Sequence, residues 1–385
     1  MTGLGVGLFL VAARVVVAFL PHQAVDNDFA LAYVEGHAAR AGCDPYRTDL
    51  MLYNTRAGLP FTAVMGQATN PPLLLLGYRL LAALPPTPAF WFYVFLETAS
   101  LLVIFVVAGA LLQRQLLPAH WCLAAGLSAC SLPMFHHYWF TQVQLLLLAL
   151  ILTGIYFWRQ GSVVTGCGLL TLASMLKLYP LAIAPLPILL ANREDRRRTI
   201  LVWLVCLIFW AALPGLAAWA SFLRHAAPYL RQFSGGQYLS FTIPSFVNGL
   251  CGGGVDALAW GLAAATLVWA WMRCRQLKFS AAVALLLVVT VLCSAVAWIH
   301  YLVFLIFPLL CLAAHTVEAT GGRRLLLGAL LLLNLAAVNL AGVAPGPPIP
   351  ALFRYLCANL PVLGMGLLCV HFSRRVHTDR QPGRH

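Results

Sequence analysis

Charge is what this chain has least of. Only 9% of its 385 residues are Asp, Glu, Lys or Arg, while 62% are hydrophobic, against about 25% charged residues in a soluble globular chain. No water-soluble core could absorb that excess of apolar surface. Lysine is nearly absent: Lys177 and Lys278 stand against 22 arginines. The 11 cysteines include no CxxC pair and no Cys/His spacing suited to a metal, which removes the zinc modules. A glycine-rich phosphate loop is missing too, so neither a nucleotide-sugar site nor any cofactor is expected. There is no internal repeat, which counts against the inverted-repeat transporters. Residues 3 to 20 have neither a basic leading region nor a small-residue cleavage site before Pro21, and so read as a first span rather than a leader peptide.

What is present is apolar sequence in lengths that fit a bilayer. A membrane-spanning helix needs about 20 largely apolar residues, and such stretches run over residues 3–20, 88–112, 118–134, 141–157, 162–177, 180–191, 199–220, 255–272, 280–297, 301–317, 325–342 and 352–372. None alternates in the manner of a barrel strand, and in lipid the backbone must bond to itself, so helices remain. The expected fold is all-α: one polytopic membrane domain over 1–385, with about twelve transmembrane helices, in a range of roughly ten to thirteen. The stretch 180–191 is the weakest, being short for a span.

The formal charge of +13 follows short loops rather than a nucleic-acid face. With the N-terminus in the cytoplasm, Arg114, Arg159, Arg193 with Arg196 to Arg198, Arg273, Arg275, Lys278, Arg323, Arg324 and the tail 373–385 all fall inside, as the positive-inside rule requires. Two long polar segments, 21–87 and 221–254, then fall outside. The first holds Asp26, Asp28, Glu35, Asp44 and Asp49, five of the eleven acidic residues. Within it, 28–41 and 71–84 read as helices lying on the membrane surface. Cys43, Cys251 and Cys357 lie on or near this side, where one disulfide has room to form.

The polar residues at this rim carry the candidate chemistry. Asp26 and Asp28 sit where a carboxylate can serve as a general base, or cap the helix that starts near Phe29. Lys177 ends an apolar stretch, where its ammonium suits a phosphate or simply snorkels to the interface. His300 can carry a proton or meet a phosphate, or be a tolerated amphipathic side chain. His136, His137, Tyr138, Trp139, Gln142 and Gln144 form a polar and aromatic rim. Glu97 and Arg14 lie inside apolar stretches, where ionisable groups face a protein interior or a cavity.

Several segments, in order, resemble glycosyltransferase family 87 of the GT-C membrane enzymes. They are Asp28-Phe29-Ala30-Leu31-Ala32-Tyr33, Gly42-Cys43-Asp44-Pro45-Tyr46 and Asn70-Pro71-Pro72-Leu73 near the start. Later come Thr141-Gln142-Val143-Gln144, similar to the family's Gly-Gln-x-Asn, and Leu176-Lys177-Leu178-Tyr179-Pro180, similar to its Lys-x-x-Pro. Ser294-Ala295-Val296-Ala297-Trp298-Ile299-His300-Tyr301 resembles its Ser-Pro-x-x-Trp-x-His. Thr141, Gln144 and Ala295 replace the family's Gly, Asn and Pro. The resemblance implies a GT-C-like fold and transfer of a sugar, mannose in the family's α-1,2-mannosyltransferases, from a polyprenyl-phosphate donor to a lipid or glycan acceptor.

By that resemblance Asp28 is the base and His300 its catalytic partner, with Lys177, Asp26, Tyr33, Gln142 and Tyr301 contacting substrate. The reaction inverts the anomeric centre and works on the extracytoplasmic face of the cell (inner) membrane, needing membrane lipids but no metal and no nucleic acid. A transporter or flippase of lipid-linked sugars, or a membrane acyltransferase using His300 or His137, are the competing readings. A transporter predicts charges at the midplane; here most gather at the rim.

Overall fold

The computed structural model describes residues 28–62, 64, 66–112, 121, 125, 126, 128, 130–231, 240–316 and 359–374. The expected spans 3–20 and 325–342 lie outside these residues, as do about half of 118–134, Asp26, Arg14, Arg114, Cys357, and Arg323 and Arg324. Among the described residues every regular element is helical.

The first polar segment folds as α1 (Asp28–Arg40), α2 (Leu50–Arg56) and α3 (Pro72–Leu81), so the two surface helices expected over 28–41 and 71–84 are present within a few residues of those limits. Two of its acids do local work. Asp49 caps α2 by accepting from Leu52 N at 3.0 Å, and Asp44 accepts from Tyr46 N at 3.1 Å to shape the Asp-Pro-Tyr turn. Helix α1 crosses α3 at Gly36, where a Cβ would lie 2.2 Å from the Tyr78 carbonyl oxygen. That approach needs glycine. Arg40 then donates to Ala82 O at 3.0 Å and the Tyr33 hydroxyl to Leu84 O at 2.8 Å, locking the crossing.

Beyond it run α4 (Pro86–Leu111), α5 (Leu132–Phe140), α6 (Gln144–Arg159), α7 (Val163–Leu176), a 3-10 turn (Tyr179–Ala182), α8 (Leu186–Leu190), α9 (Arg193–Ala212) and α10 (Leu216–Ser221). After these come α11 (Ile243–Leu250), α12 (Asp256–Cys274), α13 (Phe279–Leu292), a second 3-10 turn (Ile299–Leu305), α14 (Ile306–Thr316) and α15 (Leu360–Ser373). The centre is α13, buried without a break from Ala281 to Leu292, as befits a helix that is apolar on every face. It packs on α12, α14, α15 and both 3-10 turns.

Around that centre the polarity is inverted relative to a soluble protein. Helix α4 buries Glu97 and Ser100 along with Phe90, Tyr93 and Ile104, while Phe95, Leu102 and Val106 stand exposed at 65% or more. Helix α9 exposes Leu201, Leu204, Val205, Ile208 and Phe209 and buries only Thr199. An apolar outside and a polar inside suit lipid as the surrounding medium. Because lipid gives no hydrophobic reward for helix association, small residues set the packing. Between α6 and α7, a Cβ on Gly166 would sit 2.6 Å from the Trp158 Cβ.

Among the described residues two helices, Pro86–Leu111 and Asp256–Cys274, are long and apolar enough to cross a membrane, or up to four if each bent pair is one span. The twelve apolar stretches are therefore not twelve long helices among the described residues. The stretch 180–191 splits at its prolines into a 3-10 turn and the five-residue α8. The stretch 280–297 ends as helix at Leu292, where Ser294 Oγ donates to Val291 O and Val296 O at 2.9 and 3.0 Å and turns the chain extended. The stretch 199–220 bends by 81° after Ala212, next to Gly215 at φ 85°. Arg193 and Arg196 to Arg198, read as loop residues, form the first turns of α9 behind the Asn192 cap.

Candidate functional site

The two polar segments of the sequence meet. Ser221 donates to Asp44 at 2.6 Å, Gln67 donates to His225 O at 2.8 Å, and the rings of Tyr46 and Phe222 pack at 5.6 Å. Beneath that junction lies a cavity of about 430 Å³. Asp28, Asn70, Gln142, Lys177 and Tyr301 line its polar side, and Leu31, Phe222, Leu230, Trp260 and Leu267 form an apolar wall.

Each polar group arrives from a different break in helical structure. Asp28 opens α1. Gln142 follows a 113° bend between α5 and α6, made possible by Thr141 in the left-handed region at φ 51°, ψ 58°. Lys177 ends α7 with extended φ and ψ, turning its side chain off the helix axis. Tyr301 comes from the 3-10 turn after α13. Gln142 Nε2 donates to Asp28 Oδ2, and Gln144 Nε2 donates to Gln142 Oε1 at 3.3 Å. Burial pushes the Asp28 carboxyl up to about 6, against a partial lowering by the Lys177 charge. A base poised there is largely ionised at neutral pH and still able to hold a proton.

Lys177 faces the same space from the other side. Its Nζ donates to Asn70 Oδ1 at 2.7 Å; Asn70 Nδ2 donates to Glu35 Oε2 at 2.9 Å, and Thr69 N donates to Glu35 Oε1 at 3.0 Å. The Tyr46 hydroxyl holds the Asn70 carbonyl at 2.7 Å. Glu35 is wholly buried, and burial raises its carboxyl to about 7 even with these donors and Lys177 pulling it down. Sequence reasoning quoted Asn70 without giving it a role and left Glu35 among the loop acids. The spacing from Asp28 to Glu35, seven residues or two helical turns, is the signal that puts both on one face of α1.

Of the residues expected to act together, Asp28, Gln142, Lys177 and Tyr301 share the cavity. Asp26 lies outside the described residues. Tyr33, expected to touch substrate, does not line the cavity: it is 3% exposed and packs on Phe29 and Phe61 with its hydroxyl spent on Leu84. His300, expected at the reacting phosphate, lies behind the lining. It is 1% exposed, with its ring 5.0 Å from Tyr301 and 5.7 Å from both Trp298 and Phe140. Cys43 and Cys251 are free.

Comparison with known proteins bears on these residues directly. No curated protein matches the chain. The model of glycosyltransferase family 87 matches residues 68–297, more than half of the chain and a stretch that contains Asn70, Gln142 and Lys177. Asp28 and Glu35 precede the matched stretch, and Tyr301 follows it. With its motifs brought to one cavity and its apolar helices facing outward, the chain belongs to glycosyltransferase family 87 and is a membrane glycosyltransferase.

Proposed function

We propose that the protein moves a sugar, mannose by the resemblance of its motifs, from a polyprenyl-phosphate donor to a hydroxyl of a lipid or glycan acceptor at the extracytoplasmic membrane face. The observation that supports this most is one cavity with a carboxylate, Asp28, facing an ammonium, Lys177, beside an apolar wall. A polyprenyl chain needs such a wall. A phosphate leaving group needs positive charge and no general acid.

In this reading the acceptor hydroxyl approaches Asp28, held in place by Gln142. The proton passes to the Asp28 carboxylate as the oxygen bonds to the anomeric carbon. The bond from that carbon to the phosphate oxygen breaks, and its electron pair leaves on the polyprenyl phosphate, whose new charge Lys177 neutralises. One displacement inverts the anomeric centre. Tyr301 closes the polar side, and His300 behind it fixes the ring rather than touching substrate. Tyr33 supports α1, and Asp26 remains a substrate contact of the proposal. The topology proposed with this places both termini in the cytoplasm and about twelve apolar stretches in or across the bilayer.

The test is purified protein in detergent incubated with polyprenyl-phosphate mannose, arabinose or glucose and a lipid acceptor, wild type beside Asp28→Asn. Transfer by the wild type and a loss of about 10³-fold or more in the variant is expected, base catalysis supplying about 10² to 10⁴. Unchanged transfer by Asp28→Asn removes it as base. A wild type that consumes no donor yet moves lipid-linked sugar across vesicles is a transporter.

A further inference from the structure

Three features stand outside the mechanism just given: the Glu97–His137 pair, Cys293 on the cavity wall, and Glu35. Of these, Glu35 is the one joined through side-chain hydrogen bonds alone to a charged group that faces substrate. It sits under the cavity with no exposure, and its two oxygens accept from two different donors, Thr69 N and Asn70 Nδ2. An amide in place of this carboxylate offers one acceptor and one donor, and so opposes a donor with a donor at one of the two contacts.

The orientation of Asn70 depends on that carboxylate. Because Nδ2 must point at Glu35, Oδ1 must point away from it, and Oδ1 is the atom that holds Lys177 Nζ at 2.7 Å. Flipping the amide would present a donor to an ammonium that has only donors of its own. The Asn70 carbonyl is held separately by Tyr46, so the backbone is anchored while the side chain takes its direction from Glu35. Lysine is a flexible four-carbon stem bearing a point charge, and its aim into a cavity has to be imposed from outside.

We propose that Glu35 is a positioning residue for glycosyl transfer: acting through Asn70, it aims the Lys177 ammonium at the place where the donor phosphate is left. The proposal rests on the donor reading above for the identity of that phosphate, but the coupling of Glu35 to Lys177 stands apart from it. Displacing a catalytic group by about 1 Å can cost on the order of 10² in rate. Glu35→Gln is therefore expected to lower kcat by about ten- to a hundredfold, with KM for the acceptor unchanged, since the acceptor belongs to Asp28.

The experiment is a kinetic cycle of wild type, Glu35→Gln, Lys177→Met and the double variant in the donor assay. If Glu35 acts through Lys177, its substitution costs nothing further once the ammonium is gone; equal losses in both backgrounds overturn the proposal. Should Glu35→Gln fold poorly, Asn70→Ser cuts the same connection at its other end and is read in the same cycle. A second measurement needs no donor. Lys278→Arg leaves Lys177 as the one lysine of the chain, so its rate of reaction with an amine-directed reagent can be followed by mass spectrometry. A several-fold change on adding Glu35→Gln is expected, and an unchanged rate overturns the proposal. If the wild type uses no polyprenyl donor while the labelling rate does change, the donor reading fails and the Glu35–Lys177 coupling survives.

Discussion

Glu35 and Glu97 are both buried carboxylates, and they are buried in different company. Glu35, on α1, has both oxygens bonded and reaches the cavity through Asn70 and Lys177. Glu97, on α4, meets His137 Nε2 at 3.3 Å and accepts from Leu146 N at 3.2 Å in the first turn of α6, while its Oε1 and His137 Nδ1 have no hydrogen-bond partner among the described residues. Neither Glu97 nor His137 lines the cavity. A carboxylate at a helix N-terminus is favourable, and this one steadies the helix that follows the bend carrying Gln142. The difference teaches that a buried carboxyl group in an apolar interior can belong to the site or to the scaffold that holds it. Connection to the cavity, rather than depth, separates the two.

The sharpest way to break that division is at Lys177. Lys177→Met is expected to lower kcat by about 10² to 10³, the usual cost of losing a group that neutralises charge in the transition state, with melting temperature little changed. A variant that melts early while keeping kcat per folded molecule would move Lys177 to the scaffold.

Acidity gives the next largest effect. With the Asp28 carboxyl near 6, roughly one tenth is ionised a unit below that value and nine tenths a unit above, so kcat/KM is expected to rise about tenfold from pH 5 to 7. Stability runs the other way. Asp28 and Glu35 both hold protons more tightly folded than unfolded, so the stability they lend is complete below about pH 4 and is lost as pH rises through 6 and 7. Melting temperature and initial rate measured over one pH series check both slopes; parallel slopes would mean that the rate reports folding and not the base.

Glu97→Gln should then act on the scaffold side. Replacing its carboxyl at α6 is expected to cost about 1 to 2 kcal/mol, read as a lower melting temperature in detergent, with kcat per folded molecule little altered. The opposite pattern, intact melting and lost turnover, would join Glu97 to the site and end the comparison as drawn.

How much of this could be read from residue order follows the same line. That Asp28, Gln142, Lys177 and Tyr301 meet in one cavity was legible because each stands in a short motif, the last three at the edges of apolar stretches that converge. Glu35 was not. In sequence it is one of five acids in a polar segment, where Asp49 only caps a helix and Asp44 shapes a turn and accepts from Ser221. What buries it is the close crossing of α1 over α3 at Gly36, a tertiary event with no local signature. The helical class was legible from composition, whereas helix lengths were not. Apolar stretches do not announce where a proline at 180, 185 or 187, or Ser294 bonding back to Val291, ends the helix.

Thr141 offers the smallest test and bears on both Glu97 and Asp28, since it turns the chain between His137 and Gln142. It adopts φ 51°, a left-handed conformation that suits glycine and costs a β-branched residue about 1 kcal/mol or more. Glycine is the residue the family's motif has there. Thr141→Gly removes that strain, but it also frees the unfolded chain and deletes the Oγ1 bond to Tyr138 O at 3.3 Å. The balance is expected to be a gain of less than about 1 kcal/mol, seen as a slight rise in melting temperature with kcat unchanged. If melting instead falls, the threonine hydroxyl outweighs the strain and the bend is held by that bond. If kcat falls while melting rises, the strain itself sets the reach of Gln142 to Asp28, and the bend would then belong with the site rather than with the scaffold of Glu97.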